Sequence, residues 1–330
     1  MVTAMKKIIL LLIFSLFFVS SLRADKDNES DDNDKDKCGE LSVSPEDIKI
    51  DWTESFRSAE KSFRVQRTKS NKKCRYYVTF SAGGGTFADR RAIQGSYAMK
   101  YQVYKSASLE QKNILKELPT ASNSDEVVTG EFPDDKKENT SKYYLEIPIG
   151  AATSPTLVKS GLYMDTYSVK VYPGQIGDDS KPDNTRSVLL SILVPKIIRI
   201  SLVGTGQSFR ESDTTESLDF GTLEQGKSKS FDLKVVTNAG FQVRFSSQNN
   251  GVLKQGVGGA DTTVPYTLKV NSVTRDLSGS QGSPVVVAEG TGQSSLDGKT
   301  NQVSVTIGDV ENKVAGEYSD IILVTATTIE

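Results

Sequence analysis

One short motif occurs twice in this chain, and each copy opens an alternating run of residues typical of a β-strand. The motif Gly-x-Tyr-x-Asp occupies residues 161–165 and again residues 316–320. Its members are Gly161, Tyr163 and Asp165 in the first copy and Gly316, Tyr318 and Asp320 in the second. A signal repeated at long spacing predicts two copies of one domain.

Four further segment pairs recur in the same order in both halves. They are Asp51-Trp52 with Asp219-Phe220 and Lys61-Ser62-Phe63 with Lys229-Ser230-Phe231, both 168 residues apart, then Val78-x-Phe80-Ser81 with Val243-x-Phe245-Ser246 and Tyr101-x-Val103 with Tyr266-x-Leu268, both 165 apart. Reuse of Val, Phe and Tyr at alternating strand positions is the competing explanation. Because the offsets change only by loop-sized steps, duplication is favoured.

Many short period-two segments separated by turn signals predict an all-β chain of two immunoglobulin-like β-sandwiches in tandem. One short helix is expected over residues 109–118, ended by Pro119. In such sandwiches a tyrosine near the start of the penultimate strand bonds back across a corner, and Tyr163 and Tyr318 fit this position. A final strand should then come after each tyrosine.

The two copies differ in the length of chain after the motif. After Tyr163, residues 187–194 could return to complete the first domain, or they could begin the second. After Tyr318 only one strand, Ile321 to Ile329, is expected, so the second domain is predicted to lack its final strand. A missing strand leaves an apolar groove and an unpaired edge, which a strand from another chain can fill.

The expected organisation has five parts. They are a signal peptide at 1–24, an acidic disordered segment at 25–37, an N-terminal β-sandwich at 38–177, a linker at 178–186 and a C-terminal domain at 187–330. The signal peptide is predicted from Lys6-Lys7, the apolar residues 8–19 and the small residue Ala24. The mature protein is therefore expected to be exported.

Cysteine, histidine and charge limit the possible functions. In an exported chain the single pair Cys38 and Cys74 predicts a disulfide. The chain has no histidine, which excludes Ser-His-Asp and Cys-His catalysis, and no catalytic, cofactor-binding or metal-binding residue is predicted. A net charge of −2 gives no basic excess, so nucleic acid is not an expected partner.

Several segments resemble the spore coat protein U domain. They are Cys74-x-Tyr76-x-Val78-Thr79-Phe80-Ser81, Met99-x-Tyr101-Gln102-x-Tyr104, Ser160-Gly161-x-Tyr163-x-Asp165, Leu218-Asp219-Phe220-Gly221 and Ala315-Gly316-x-Tyr318-x-Asp320. The resemblance covers most of residues 38–330. That domain is shared by pilins and two-domain tip adhesins of archaic chaperone–usher pili.

The resemblance implies three assembly partners: a periplasmic chaperone, an outer-membrane usher and an adjacent pilin that donates a strand. It also implies export through the periplasm to a fimbrium on the cell surface. Residues 25–37 lack the alternating apolar residues of a donor segment, so this chain is expected to accept a strand and to cap the fibre. The first domain would then meet a host, glycan or abiotic surface.

Three residues near turn signals, Phe87, Leu118 and Phe132, are candidates for surface contact, with partial burial in the core as the alternative. A basic stretch from Arg57 to Arg75 is better explained as a solvated strand face. Two other functions remain open: a free secreted spore-coat-U-like structural or binding protein, and a secreted enzyme acting on glycans through carboxylates. No constellation of residues supports the enzyme.

Overall fold

The computed structural model describes residues 37–69, 72–148, 157–178, 181–256 and 262–330. The predicted signal peptide and nearly all of the acidic segment lie outside the described residues. Nearly all of the regular secondary structure in the described residues is β-strand, which confirms the predicted all-β fold. No described helix is both long enough and apolar enough to cross a membrane.

Within its described residues, the first domain contains ten strands and two short 3-10 helices at Gln111–Asn113 and Ser124–Glu126. The strands are β1 (Leu41–Pro45), β2 (Ile48–Asp51), β3 (Ser58–Arg67), β4 (Cys74–Phe80), β5 (Arg90–Gln94), β6 (Tyr97–Tyr104), β7 (Val128–Phe132), β8 (Glu138–Glu146), β9 (Gly161–Pro173) and β10 (Asn184–Val194). One layer has the order β1-β3-β8-β6, and the other contains β5, β9, β10 and β2 with β4 and β7. Alternate residues of both layers fill the core between them.

Strand β10 closes the first domain. It pairs antiparallel with β9 over eleven residues and parallel with β2 over four. Its inward side chains, Val188, Leu190, Ile192 and Val194, are buried in the first core. The sequence-based boundaries assigned residues 187–194 to the second domain, and the strand pairing places them in the first instead.

The predicted helix at 109–118 is wrong. Only one 3-10 turn forms there, because Leu109 adopts a left-handed backbone (φ 53°) and the chain then runs along β6. The backbone amide of Leu115 donates to the carbonyl of Val103 at 2.9 Å. Together with Leu118, this loop covers a small cluster on the outer face of β4 and β9, in which Tyr77 stacks on Tyr172 at 4.8 Å.

The predicted disulfide joins Cys38 and Cys74. It ties the start of the domain to β4 and lies beside the buried side chain of Arg67, which the sequence had placed on a solvated face. The guanidinium of Arg67 donates to the carbonyls of Lys136 and Pro133, each at 2.7 Å. It also lies over the Phe132 ring at 5.0 Å.

The described part of the second domain contains nine strands. They are β11 (Ile198–Gly204), β12 (Ser228–Thr237), β13 (Gly240–Ser247), β14 (Val252–Lys254), β15 (Thr263–Val270), β16 (Val273–Arg275), β17 (Val285–Gly290), β18 (Lys299–Ile307) and β19 (Ile322–Ile329). One layer has the order β11-β12-β18-β15-β14, with β16 beside β15, and the other has the order β17-β13-β19. A second apolar core lies between them.

Strand pairing supports the duplication but changes the alignment of one of the matched segments. Tyr101 and Tyr266 are equivalent, since each donates its hydroxyl to the aspartate of its own motif. This equivalence also aligns the neighbouring strands. The amide of Ile147 donates to the carbonyl of Arg57, and the amide of Ile307 donates to the carbonyl of Lys227, each at 2.9 Å, so Arg57 corresponds to Lys227. The identical Lys-Ser-Phe tripeptides are therefore two residues out of register.

The two domains are joined by a short connection, residues 195–197. The side chain of Asn238, which is 1% exposed, accepts from the amide of Ile197 at 2.8 Å and donates to the carbonyl of Pro195 at 2.9 Å. Its backbone carbonyl accepts from the amide of Ser160 in the first domain at 3.1 Å. Asn238 thus bonds to the connection and to the first domain at once.

Replacement of both cysteines by alanine should destabilise the first domain by roughly 3–4 kcal/mol, because the disulfide closes a 36-residue separation in the unfolded chain. The only tryptophan, Trp52, packs against the first core, so its fluorescence during urea unfolding reports this domain. Hydrogen exchange of β13 amides is the control. An unchanged urea midpoint for Trp52, or an equal loss in β13, would contradict the expectation.

Candidate strand-binding groove

A groove of about 920 Å³ runs along the second domain beside β19. One side is formed by residues 216–223, which are not in a strand, and the other by residues 313–320 and the first residues of β19. The floor is mainly apolar side chains of the second core, Phe231, Phe245, Leu253, Val264, Leu268, Val305, Ile322 and Val324.

The groove coincides with the place that β10 occupies in the first domain. Residues 216–219 correspond to β2 by the 168-residue offset between Asp51-Trp52 and Asp219-Phe220. β19 corresponds to β9 by the 155-residue offset of the motifs. β13 pairs with one edge of β19 along the whole strand. Among the described residues, no strand pairs with the other edge of β19.

The closing strand accounts for a difference between the two motif copies. Residues 161–165 are part of β9, since β10 pairs with them from Gly161 to Asp165. Residues 316–320 precede β19 and have only the isolated bridge between Lys254 and Ser319. Tyr163 is accordingly 1% exposed, whereas Tyr318 is only half-buried.

Both tyrosines form the corner bond expected at this position. The hydroxyl of Tyr163 donates to the carbonyl of Lys159 at 3.0 Å, and that of Tyr318 donates to the carbonyl of Val314 at 2.6 Å. Burial raises the pKa of Tyr163 to about 12. Each corner is further held by a glutamine amide, Gln94 in the first domain and Gln255 in the second.

The motif aspartates tie each corner to a neighbouring strand. In the second domain Asp320 accepts from the hydroxyl of Tyr266 at 2.7 Å, from that of Ser247 at 2.6 Å and from the amide of Asn249 at 3.0 Å. In the first domain Asp165 accepts from the hydroxyl of Tyr101 at 2.5 Å. Burial, followed by the bond to the aspartate, raises the pKa of both tyrosines.

The second core also lacks side-chain volume that the first core has. Tyr167 of β9 is fully buried and contacts Phe80 and Tyr143. The equivalent residue of β19 is Ile322, which is half-buried and lines the groove. The smaller side chain leaves the floor of the groove open to an incoming strand.

The three predicted contact residues do not form a common surface. Phe132 is fully buried in the first core, Leu118 packs in the outer cluster, and Phe87 is half-buried beneath the guanidinium of Arg90. The hydrophobic tip predicted from them is therefore wrong for Phe132. Exposed apolar side chains of the first domain lie instead on the outer face of β5, β9 and β10: Ile93, Leu162, Met164, Leu189 and Leu193.

The described residues contain no group of three potential metal ligands. Sequence reasoning anticipated the motif residues and the groove. It did not identify the far wall at 216–223 or the glutamines Gln94 and Gln255. The repeated Leu218-Asp219-Phe220 segment was the available signal for that wall, but its place opposite β19 depends on the tertiary fold.

No family model and no curated protein matches this chain. Similar solved structures include a chaperone–tip adhesion subunit complex from the archaic Csu pili of Acinetobacter baumannii (14% identity, TM-score 0.38). It is aligned over 87% of this chain and 99% of the other. The CupB6 tip adhesin of Pseudomonas aeruginosa has 10% identity and a TM-score of 0.38, over 87% of this chain and 94% of the other.

A third similar structure is CfaE, the adhesive subunit of CFA/I fimbria of enterotoxigenic Escherichia coli. It shares 13% identity at a TM-score of 0.36, over 88% of this chain and 81% of the other. Because all three TM-scores lie below 0.5, these similarities do not decide the function. The function is therefore inferred from the geometry of the groove.

The stability of the first domain should fall as pH rises above about 10, the usual pKa of an unfolded tyrosine. Tyr163 keeps its proton up to about pH 12 when folded, so between these values unfolding releases a proton and is favoured by rising pH. Y163F removes this contribution and should give a shallower decline. Urea unfolding at a series of pH values, followed by Trp52 fluorescence, measures both slopes.

At neutral pH, Y163F should also cost about 0.5–1.5 kcal/mol through the lost corner bond. The pH test therefore compares slopes and not absolute stabilities. Equal slopes for the variant and the unsubstituted chain would contradict the role assigned to Tyr163.

Proposed function

We propose that this protein is a structural, non-enzymatic subunit of a surface fimbrium, anchored through the second domain by a strand from another chain. The observation that carries the proposal is an edge of β19 with which no described strand pairs, beside an apolar groove, at the place where β10 closes the first domain. Addition of a strand to an exposed sheet edge is an established mode of recognition.

The first domain provides a template for the incoming strand. β10 runs antiparallel to β9 and places Val188, Leu190, Ile192 and Val194 in the core. Four apolar side chains buried in the same manner in the second domain would contribute roughly 6–12 kcal/mol before entropy losses. A contribution of that size is comparable with the whole stability of a domain.

In this proposal the two domains have different roles because only the first is closed by its own strand. The first domain is closed by its own β10, so it can present a surface without a partner. The second is completed only by association and serves for assembly. In this proposal the subunit lies at the tip, since residues 25–37 have no alternating apolar residues to donate, and it meets its chaperone, its usher and the adjacent pilin through the second domain.

A free secreted binding protein is the alternative that the groove argues against, since such a protein has no need for an open edge. Biofilm formation and contact with a host, glycan or abiotic surface belong to the first domain in this proposal. Its exposed apolar side chains on β9 and β10 offer a contact face for that role.

A labelled peptide with the sequence of Asn184–Val194 should bind the full chain and raise the thermal stability of the second domain in a concentration-dependent manner. Fluorescence anisotropy measures the binding. A matched peptide with serine at the four inward positions should not bind. Trp52 lies next to β10, its amide donating to the carbonyl of Leu193 at 2.8 Å, so unchanged Trp52 emission shows that the peptide has not displaced β10.

Two chain variants locate the site. I322K places a charge in the floor of the groove and should abolish peptide binding, whereas T325K, on the outward face of the same strand, should leave it unchanged. Circular dichroism checks that both variants fold. If the unsubstituted chain is stable, monomeric and indifferent to the peptide, the proposed function is wrong.

A further inference from the structure

The outer face at the start of β19 carries an apolar pair next to the open edge, formed by Leu323 of the strand and by Ile321, the residue just before it. Ile321 and Leu323 are 67% and 65% exposed, the highest values among the large apolar side chains of the described residues. Both point away from the groove, since Ile322 and Val324 between and after them pack against the second core. Filling the groove alone would therefore leave this pair exposed.

The first domain has polar residues at the same two positions. Ile321 corresponds to Thr166 and Leu323 to Ser168 by the offset of the motifs. The equivalence is supported by a shared bond, because the amides of Thr166 and Ile321 both donate to the preceding aspartate. The apolar pair thus occurs in the copy whose edge is open and not in the copy that is closed.

The neighbours within the second domain do not cover the pair. Leu323 lies opposite Ser246 on β13, whose hydroxyl donates to the carbonyl of Ser280 at 2.8 Å. The next outward residue of β13 is Arg244, opposite Thr325. The side of β19 that remains for contact is the unpaired edge.

The register of β10 shows which residues of a partner strand would lie there. In the first domain Leu189 is directly opposite Thr166, and Ser187 is directly opposite Ser168. A strand in the same register on β19 would place its residues equivalent to Leu189 and Ser187 beside Ile321 and Leu323. Directly opposed side chains on one face of a sheet contact each other.

We infer that the strand received by the second domain is apolar on both faces at this point, with aliphatic residues outward opposite Ile321 and Leu323 as well as inward in the groove. This inference rests on the proposed function. Two side chains are far too few for a separate interface, which needs about 800 Å² on each partner. Their position beside the open edge makes them an extension of the strand site that selects among donor strands.

A double-mutant cycle with the full chain tests the inference. The probe is the Asn184–Val194 peptide, which has leucine opposite Ile321 and serine opposite Leu323. An L189S peptide should bind the unsubstituted chain roughly two- to fivefold more weakly, and an S187V peptide should bind it tighter by a similar factor. The chain variants I321T and L323S, which carry the first-domain residues, should abolish the first and the second effect, respectively.

The outcomes separate this inference from the proposed function. Binding of all peptides with no coupling between the peptide and chain substitutions would overturn the inference and leave the proposed function standing. Binding of none of them would overturn both. Association of the free chain with itself, abolished by I321T and L323S, would show that the pair is a contact between copies and would also overturn the inference.

Discussion

The need to pair both edges of the motif-bearing strand governs this structure. A strand edge presents unpaired amide and carbonyl groups, and folded proteins pair or protect them. In the first domain β10 meets that need and at the same time supplies the last layer of the core. In the second domain the edge of β19 has no such partner among the described residues, and the exposure of Tyr318, Ile322 and the groove floor results from it.

The corner bonds and the aspartate network persist without the closing strand. The bonds of Tyr318 and Asp320 are made to the near side of the groove, to Val314, Tyr266 and Ser247, and not across the open edge of β19. The wall of the groove at residues 313–320 is therefore held in place without a partner strand. A site ordered in advance loses less conformational entropy on association.

The sequence predicted the duplication, the all-β fold and the open second domain because these depend on local patterns. It failed where distant contacts decide. Phe132 reads as a turn residue, but it is buried since β7 pairs with β4. Leu118 was expected at a helix end, but a loop without helix carries it onto the outer face of β4 and β9. The assignment of residues 187–194 could not be made from pattern alone, because an alternating strand fits either neighbour.

The connection at 195–197 gives β10 a second role. Load carried along the chain itself from the second domain to the first enters at Val194, the end of the strand that completes the first core. β10 is bonded on one side to β9 and on the other to β2, so that load is shared between two ladders rather than resting on one. The strand that makes the first domain self-sufficient is thereby also the element through which tension between the two domains would be resisted.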